Sequence, residues 1–460
     1  LSDIKNLKKI KTGLFDRSLS LTKLAIKSSA GIAVIGIKGM LSDSDTKDAY
    51  FKILLESQAK LLTKELGNLK GSLMKVGQML ALYGEHFFPE EVVRSLKTLN
   101  EQSSTVEWPE IHKILKKRLS AEILDELEID PVPLAAASMG QVHRARIKAT
   151  GEEICLKVQY PGVDKAIDTD IKALRSILGM FKIIPTQSEG YEQLFQEIRA
   201  MLKFELDYER ELHFTEHARE LLKDEKAFIV PKCYARYSSK RVLATSFERG
   251  VGIDSREVQS LPQDRKNRLG ESFSWLFVHE LFHFRMMQTD PHFGNYKVRL
   301  DESGDDKLVL LDWGAVRNFE QDFVDNYRRM LEGALTQNRA IMVEAGIAVG
   351  FLRPEDNDKL RNSFADICSI ATEPWLPPAD PRVPAGLVDG KGCYLWSRSD
   401  LPSRITQLAT GYALSFKMRP PPREVLFLDR KIGGVFIILK ILDARFPGHK
   451  LLGQWLQMGP

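Results

Sequence analysis

Two rhythms of apolar and polar positions divide the chain. From residue 46 to 130 apolar side chains recur mostly at three- and four-residue steps, as in Tyr50, Ile53, Leu54, Leu61, Leu62, Leu66, Leu69, Leu73, Val76 and Leu80. Broken by Lys and Glu, this stripe predicts helices. Gly67, Gly71 and Gly77 interrupt it, which lowers helix propensity and permits close backbone approach. Pro109–Leu127 continues the helical pattern. At Pro131 the period changes to two, and Gln141–Lys148 and Glu153–Gln159 alternate on either side of Thr150-Gly151. That is a strand, a turn and a strand.

Helical patterns return over Val163–Ile184 and Tyr191–Leu222, and Arg241–Phe247 reads as a strand. Residues 254–285 are largely helical, and Tyr296–Leu300 with Lys307–Leu311 reads as a second hairpin. Gln321–Thr336, Arg339–Val349 and Asn357–Thr372 are again helical, Trp375–Pro384 is a proline-rich loop, and a closing helix covers Val425–Phe446. Lys431 and Lys440 break its apolar run, so it reads as core rather than membrane span. The order predicts an α+β fold in four parts: an arm over 1–45, a helical extension over 46–130, a small strand-containing lobe over 131–248 and a mostly helical lobe over 249–460.

Composition adds limits. The chain has 460 residues, 43% hydrophobic and 28% charged, as in ordinary globular proteins. Cys155, Cys233, Cys368 and Cys393 are far apart with no Cys-x-x-Cys pair. This favours the cytoplasm or another reducing compartment and argues against a cysteine-ligated zinc. A net charge of +4 implies no nucleic-acid partner. Within residues 1–41, however, Lys5, Lys8, Lys9, Lys11, Arg17, Lys23, Lys27 and Lys38 face only Asp3 and Asp16. Two readings stay open: an arm that lies on an anionic membrane surface, and a loosely ordered basic tail. No apolar run reaches the roughly 18 residues of a membrane span.

The candidate chemistry centres on Gln288–Gly314. Asp290 is followed five positions on by Asn295, and the second hairpin strand ends on Asp312. A tight hairpin brings Asn295 and Asp312 together at its open end. Carboxylates and an amide oxygen are hard ligands suited to Mg²⁺ that also holds water and phosphate. The bland alternative is a hairpin with solvated acidic ends. Upstream, Ala135, Ala136, Ala137, Ser138 and Gly140 form a small-residue loop fit to lie over a nucleotide, although β-carbons replace two of the glycines in a kinase Gly-rich loop. Lys157 stands in the apolar strand Ile154–Val158, so inward it needs a carboxylate or phosphate. Glu197 and Glu205 are eight apart on one predicted helix, broadly on one side. Either could pair Lys157, and Glu197 is taken as the expected partner. Glu248 follows the strand Arg241–Phe247; in a two-lobed kinase-like fold this is where the chain crosses between lobes, and exposed backbone groups there could hydrogen-bond adenine. His279-Glu280-Leu281-Phe282-His283 matches the zinc motif H-E-x-x-H, but no third histidine follows. It reads as two histidines at the edge of a buried helix.

Lys75-Val76-Gly77-Gln78, the alanine-rich loop, Lys157, Glu205-Leu206-Asp207, the Gln288–Asn295 string and Asp312-Trp313-Gly314 together resemble the UbiB (AarF-like) family of atypical protein-kinase-like proteins. The resemblance runs from about residue 50 to Arg430–Gly434. It implies a bilobal protein-kinase-like fold whose Lys-x-Gly-Gln extension covers the active site and blocks peptide substrates. It also implies ATP and Mg²⁺ binding, ATPase activity, membrane association, and support of quinone (ubiquinone) biosynthesis or lipid homeostasis, with isoprenoid or quinone-like lipids as partners. By position, Lys75 and Gln78 belong to the regulatory extension, with Glu205 and Asp207 as its contacts. Lys157 holds the α- and β-phosphates, Asn295 and Asp312 hold metal, and Asp290 takes the catalytic position. Lys157 and Asp312 are thereby expected to meet one triphosphate. Asp-Trp-Gly in place of Asp-Phe-Gly is a departure, as is the lack of a membrane-spanning C-terminal helix. Two alternatives stand beside this reading: a soluble small-molecule kinase of the aminoglycoside or choline type, and a nucleotide-gated lipid-binding scaffold.

Overall fold

The computed structural model describes residues 75–77, 79, 80, 94, 105–137, 139–180, 189–408 and 422–457. The arm, most of the helical extension, Gln78 and Ser138 lie outside the described residues. In chain order the strands that position the site are β1 (Leu127–Ala136), β2 (Gly140–Ile147), β3 (Glu153–Gln159), β4 (Phe228–Ile229), β5 (Val242–Ser246), β6 (Val251–Gly252), β7 (Met286–Gln288), β8 (Tyr296–Arg299), β9 (Lys307–Leu310) and β10 (Val316–Asn318). The chain forms two compact units. One ends at Leu212 and also takes in Cys233–Phe247; the other takes in His213–Lys232 and runs on from Glu248. Residues 213–232, inside the span read as the strand-containing lobe, thus go with the second unit.

The first unit is built on an antiparallel sheet in the order β1-β2-β3-β5. Alternation sorts its two faces. Ile154, Leu156 and Val158 of β3 are fully buried and join Ala145, Ile147, Val242 and Ala244 in one cluster. The helix Trp108–Arg118 closes this cluster with Ile111 and Leu115. Each of the Ile, Leu and Val side chains contributes about 2 kcal/mol on burial. The helix opens with proline in its first turn and ends on Lys116, Lys117 and Arg118, which suits its dipole. The single helix expected over Pro109–Leu127 is broken after Arg118. Ser120 accepts from the Ile123 N–H at 3.3 Å and starts a new short helix, Ala121–Asp125.

The alanine-rich segment differs from the loop the sequence suggested. Ala135 and Ala136 end β1, opposite Val142 and Gln141, and β1 shifts register between Ile129 and Pro133 and again before Ala135. Pro131 and Pro133 donate no ladder bonds, which an edge strand tolerates. The reversal is therefore short, closed by the Ala137 N–H donating to the Gly140 carbonyl at 2.9 Å. Gly140 cannot carry a side chain, since a β-carbon would lie 2.5 Å from the Val158 carbonyl oxygen.

In the second unit the sheet order is β4-β9-β8-β6, with β4 parallel to β9 and the other pairs antiparallel. The expected hairpin is there, with Tyr296 opposite Leu310 and Arg299 opposite Lys307. Behind it, the helix Gln263–Phe282 buries Leu269, Phe273 and Leu276 against Val435, Ile438 and Leu439 of the closing helix Arg423–Ile441. β7 pairs with β10, Gln288 opposite Val316, and so anchors the start of the Asp290 string. Among the described residues no helix is long and apolar enough to cross a membrane.

Candidate functional site

Lys157 stands on the face of β3 opposite the apolar cluster, where its ammonium contacts both oxygens of Glu211 at 2.7 and 2.9 Å. The Tyr208 ring centre lies 5.3 Å from the same nitrogen. Glu211 corrects the expected partner, Glu197. The continuous helix expected over Tyr191–Leu222 ends at Glu205, and a second begins at Tyr208. Asp207 caps the second, its Oδ1 accepting from the Arg210 N–H at 3.0 Å. The break resets which side chains face β3. Glu197 is buried on the first helix, whereas Glu205 forms an ion pair with Lys75 at 2.9 Å. The signal for the break was in the sequence, an Asp followed by Glu209 and Glu211 in a first helical turn.

Beside the alanine-rich turn, β2 carries a buried polar chain. Gln141 pairs with the backbone of Val106, accepting its N–H at 2.8 Å and donating to its carbonyl at 3.1 Å. Its amide nitrogen also donates to Nε2 of His143 at 2.8 Å. Nε2 is thus the acceptor, and Nδ1 donates to the Asp130 carbonyl at 2.8 Å. Burial pushes His143 below the ordinary imidazole range, against the opposing pull of that carbonyl bond. The network ties the turn's outgoing strand to the irregular part of β1.

In the second unit the Asp290 string is held at every residue that matters. The Gln288 side chain bridges Asp290, accepting its N–H at 3.0 Å and donating to its carbonyl at 2.9 Å. Asn295 Nδ2 donates to that carbonyl as well, at 2.8 Å. The Leu311 N–H donates to the Asn295 carbonyl at 2.9 Å, so the open end of the hairpin sets Asn295 beside the strand that leads into Asp312. Asp312 accepts the Gly314 N–H at 2.9 Å. Tyr296 lies among these groups. Burial first, then Glu280, Asp290 and Asp312, hold its phenol well above the ordinary range. Asp290 pairs with Arg430 at 2.5 Å, a partner the sequence reading did not name.

Glu248 gives its carboxylate to Arg299 of β8 at 2.5 Å. The H-E-x-x-H motif is structural. His279 stacks on Trp275 with ring centres 3.6 Å apart and donates from Nδ1 to the Trp275 carbonyl at 2.9 Å. Glu280 points instead to Lys431, 2.6 Å away. Glu302, the downstream carboxylate that could serve such a motif as a third ligand, is exposed in the hairpin turn. Among the described residues no group of three or more His, Cys, Asp or Glu is arranged to hold a metal. The Mg²⁺ ligands expected here, one carboxamide and one carboxylate, do not require such a cage, because the ion takes water and phosphate for the rest. Asn295 fits this use, since bonding through Nδ2 fixes the direction of its carbonyl oxygen.

An ion-paired strand lysine in one unit and an Asp/Asn string followed by a hairpin Asp in the other define a protein of the kinase-like class. Residues 98–346 match the ABC1 atypical kinase-like domain, and the chain belongs to that family. It is 27% identical to the probable serine/threonine-protein kinase abkA of Dictyostelium discoideum, over 95% of this chain and 78% of that one. It is 29% identical to the mitochondrial atypical kinase COQ8 of Saccharomyces cerevisiae, over 87% and 76%. The figure is again 29% for the mitochondrial atypical kinase COQ8B of Rattus norvegicus, over 96% and 80%. A solved complex of Rv3197 with erythromycin from Mycobacterium tuberculosis matches with a TM-score of 0.57 and 22% identity, covering 89% of this chain and 98% of that one. The fold is α+β, bilobal and kinase-like.

Proposed function

We propose that the protein is an ATP- and Mg²⁺-dependent ATPase or small-molecule/lipid phosphotransferase, peripherally attached to membranes and supporting quinone biosynthesis or lipid homeostasis. The observation that carries the reading is the Asp290 string, whose backbone is fixed by Gln288 and Asn295 at the mouth of the hairpin that leads into Asp312. Lys157, oriented by Glu211, holds the α- and β-phosphates. Asn295 and Asp312 hold Mg²⁺, which neutralises phosphate charge when bound. Asp290 orients the attacking water or alcohol. Ala135, Ala136, Ala137, Ser138 and Gly140 lie along the nucleotide, and backbone groups near Glu248 meet the adenine. Catalysis is then mostly positioning and charge neutralisation.

Lys75, paired with Glu205, is part of a latch that restrains turnover, to which Gln78 and Asp207 also belong by their place in the sequence. The Lys75–Glu205 ion pair supports this role for Lys75. The basic arm and an anionic membrane surface supply the attachment. The test is ATP hydrolysis with and without anionic liposomes for the wild type and Lys75→Ala. The proposal predicts hydrolysis that liposomes raise and that the variant alters. No hydrolysis in either protein, with ATP nevertheless changing lipid binding, would favour a nucleotide-gated scaffold. Fast phosphorylation of a free soluble alcohol would favour the small-molecule kinase.

A further inference from the structure

Behind the Asp290 string lies a buried ion pair that the proposed chemistry does not use. Glu280, on the helix Gln263–Phe282, and Lys431, on the helix Arg423–Ile441, are each 1% exposed, with Nζ 2.6 Å from Oε2. Between them they take both polar backbone groups of Gln288. The Gln288 N–H donates to Oε1 of Glu280 at 3.3 Å, and its carbonyl accepts from Lys431 at 2.9 Å. Gln288 is the last residue of β7, whose other neighbour is β10. The ion pair therefore stands where a third strand would otherwise supply a donor and an acceptor. The Gln288 side chain in turn grips the backbone of Asp290 at both its N–H and its carbonyl. The closing helix makes two more contacts with the string, Arg430 on the Asp290 carboxylate and Gly434 where Pro291 leaves no room for a β-carbon.

We infer that Glu280 and Lys431 are positioning residues for Asp290, acting through the backbone and side chain of Gln288. Stability alone is a poor reason for the pair, because apolar replacement of a buried ion pair is often neutral or stabilising. What apolar groups cannot do is satisfy the Gln288 backbone. The inference rests on Asp290 being the catalytic carboxylate.

The test compares the full-length wild type with Glu280→Leu/Lys431→Met, Glu280→Gln and Lys431→Met. Hydrogen exchange is followed over the peptide Met286–Asn295, together with kcat and KM for Mg-ATP. The double variant keeps the buried volume apolar and is expected to fold. Its string peptide should exchange about tenfold faster, with exchange in β9 unchanged, and kcat should fall by up to about 100-fold at a KM within about twofold. Glu280→Gln keeps one acceptor for the Gln288 N–H but sets its amide nitrogen against the Lys431 ammonium, so its string peptide should also exchange faster than wild type. Lys431→Met serves the same comparison if the double variant does not fold, since burial already favours the neutral form of Glu280. Wild-type exchange at the string in a folded variant would overturn the inference whatever the turnover. Faster exchange in a protein with no measurable ATP turnover would uphold the positioning and count against the phosphotransfer reading alone.

Discussion

Arg430 reaches across 140 positions of chain to set its guanidinium 2.5 Å from Oδ1 of Asp290. Neither side chain is more than 23% exposed. A carboxylate so paired is held in one direction, which suits turnover governed by positioning. Arg430→Gln should cost about 1–3 kcal/mol in urea unfolding and lower kcat more than it raises the KM for ATP. Unchanged kcat in the folded variant would detach Arg430 from Asp290's role.

Lys157 and Glu211 should behave as a unit. Glu211 is only 3% exposed on its side chain, so Lys157→Met leaves a buried carboxylate without that ammonium. The expected loss is about 2–3 kcal/mol, below the range for a fully buried pair because Lys157 is 18% exposed. Glu211→Leu on the same background should restore most of it without restoring nucleotide binding. Denaturant midpoints for the four proteins give the coupling.

His143 gives the first unit a dependence on pH. Its folded pKa lies below the unfolded value, so the unfolded chain binds more protons at mildly acidic pH. The neutral ring's contribution is complete above the unfolded pKa of about 6.5. It is lost as pH falls below that value toward the folded pKa. A protonated Nε2 would also face the Gln141 amide nitrogen, donor against donor. Thermal melts from pH 8 to 5 should show a fall that His143→Gln flattens; parallel curves would contradict this.

Trp313 stands where a phenylalanine is usual, and it is 2% exposed. Among the described residues its indole N–H meets no acceptor. Trp313→Phe removes that donor, offsetting the volume it loses. Stability should stay within about 1 kcal/mol of wild type, against about 3–5 kcal/mol for an ordinary large core truncation. A loss of the larger size would mean that the indole packing outweighs the orphaned donor.

The residues explain which parts of this were legible beforehand. The alternation around Lys157 and the two runs of the Asn295–Asp312 hairpin are local, and the strands fall within a residue or so of the expected limits. The Lys157 partner was misread because both candidates, Glu197 and Glu205, were taken from the helix that ends at Glu205, whereas Glu211 lies on the new helix that Asp207 starts. The end of β1, Ala135 and Ala136, was read as loop and the rest was not read as strand, because Pro131 and Pro133 suppress the strand pattern, while pairing with β2 overrides them. Arg430 and Lys431 meet the string from 140 and 143 positions along the chain, and Glu280 meets it from the helix just before it. The hint of such pairing was a lysine inside an apolar helix, which names no partner.

The most direct measurement is Mg²⁺-dependent stabilisation by ATP in the wild type, Asp312→Asn and Lys157→Met. At ATP about 100-fold above Kd the wild type should gain about 2.7 kcal/mol, and the gain should depend on Mg²⁺. Asp312→Asn should lose the Mg²⁺-dependent part, and Lys157→Met should bind nucleotide more weakly with or without the metal. A wild-type gain in Asp312→Asn, at the same Mg²⁺ concentration, would contradict the assignment of Asp312 to the metal.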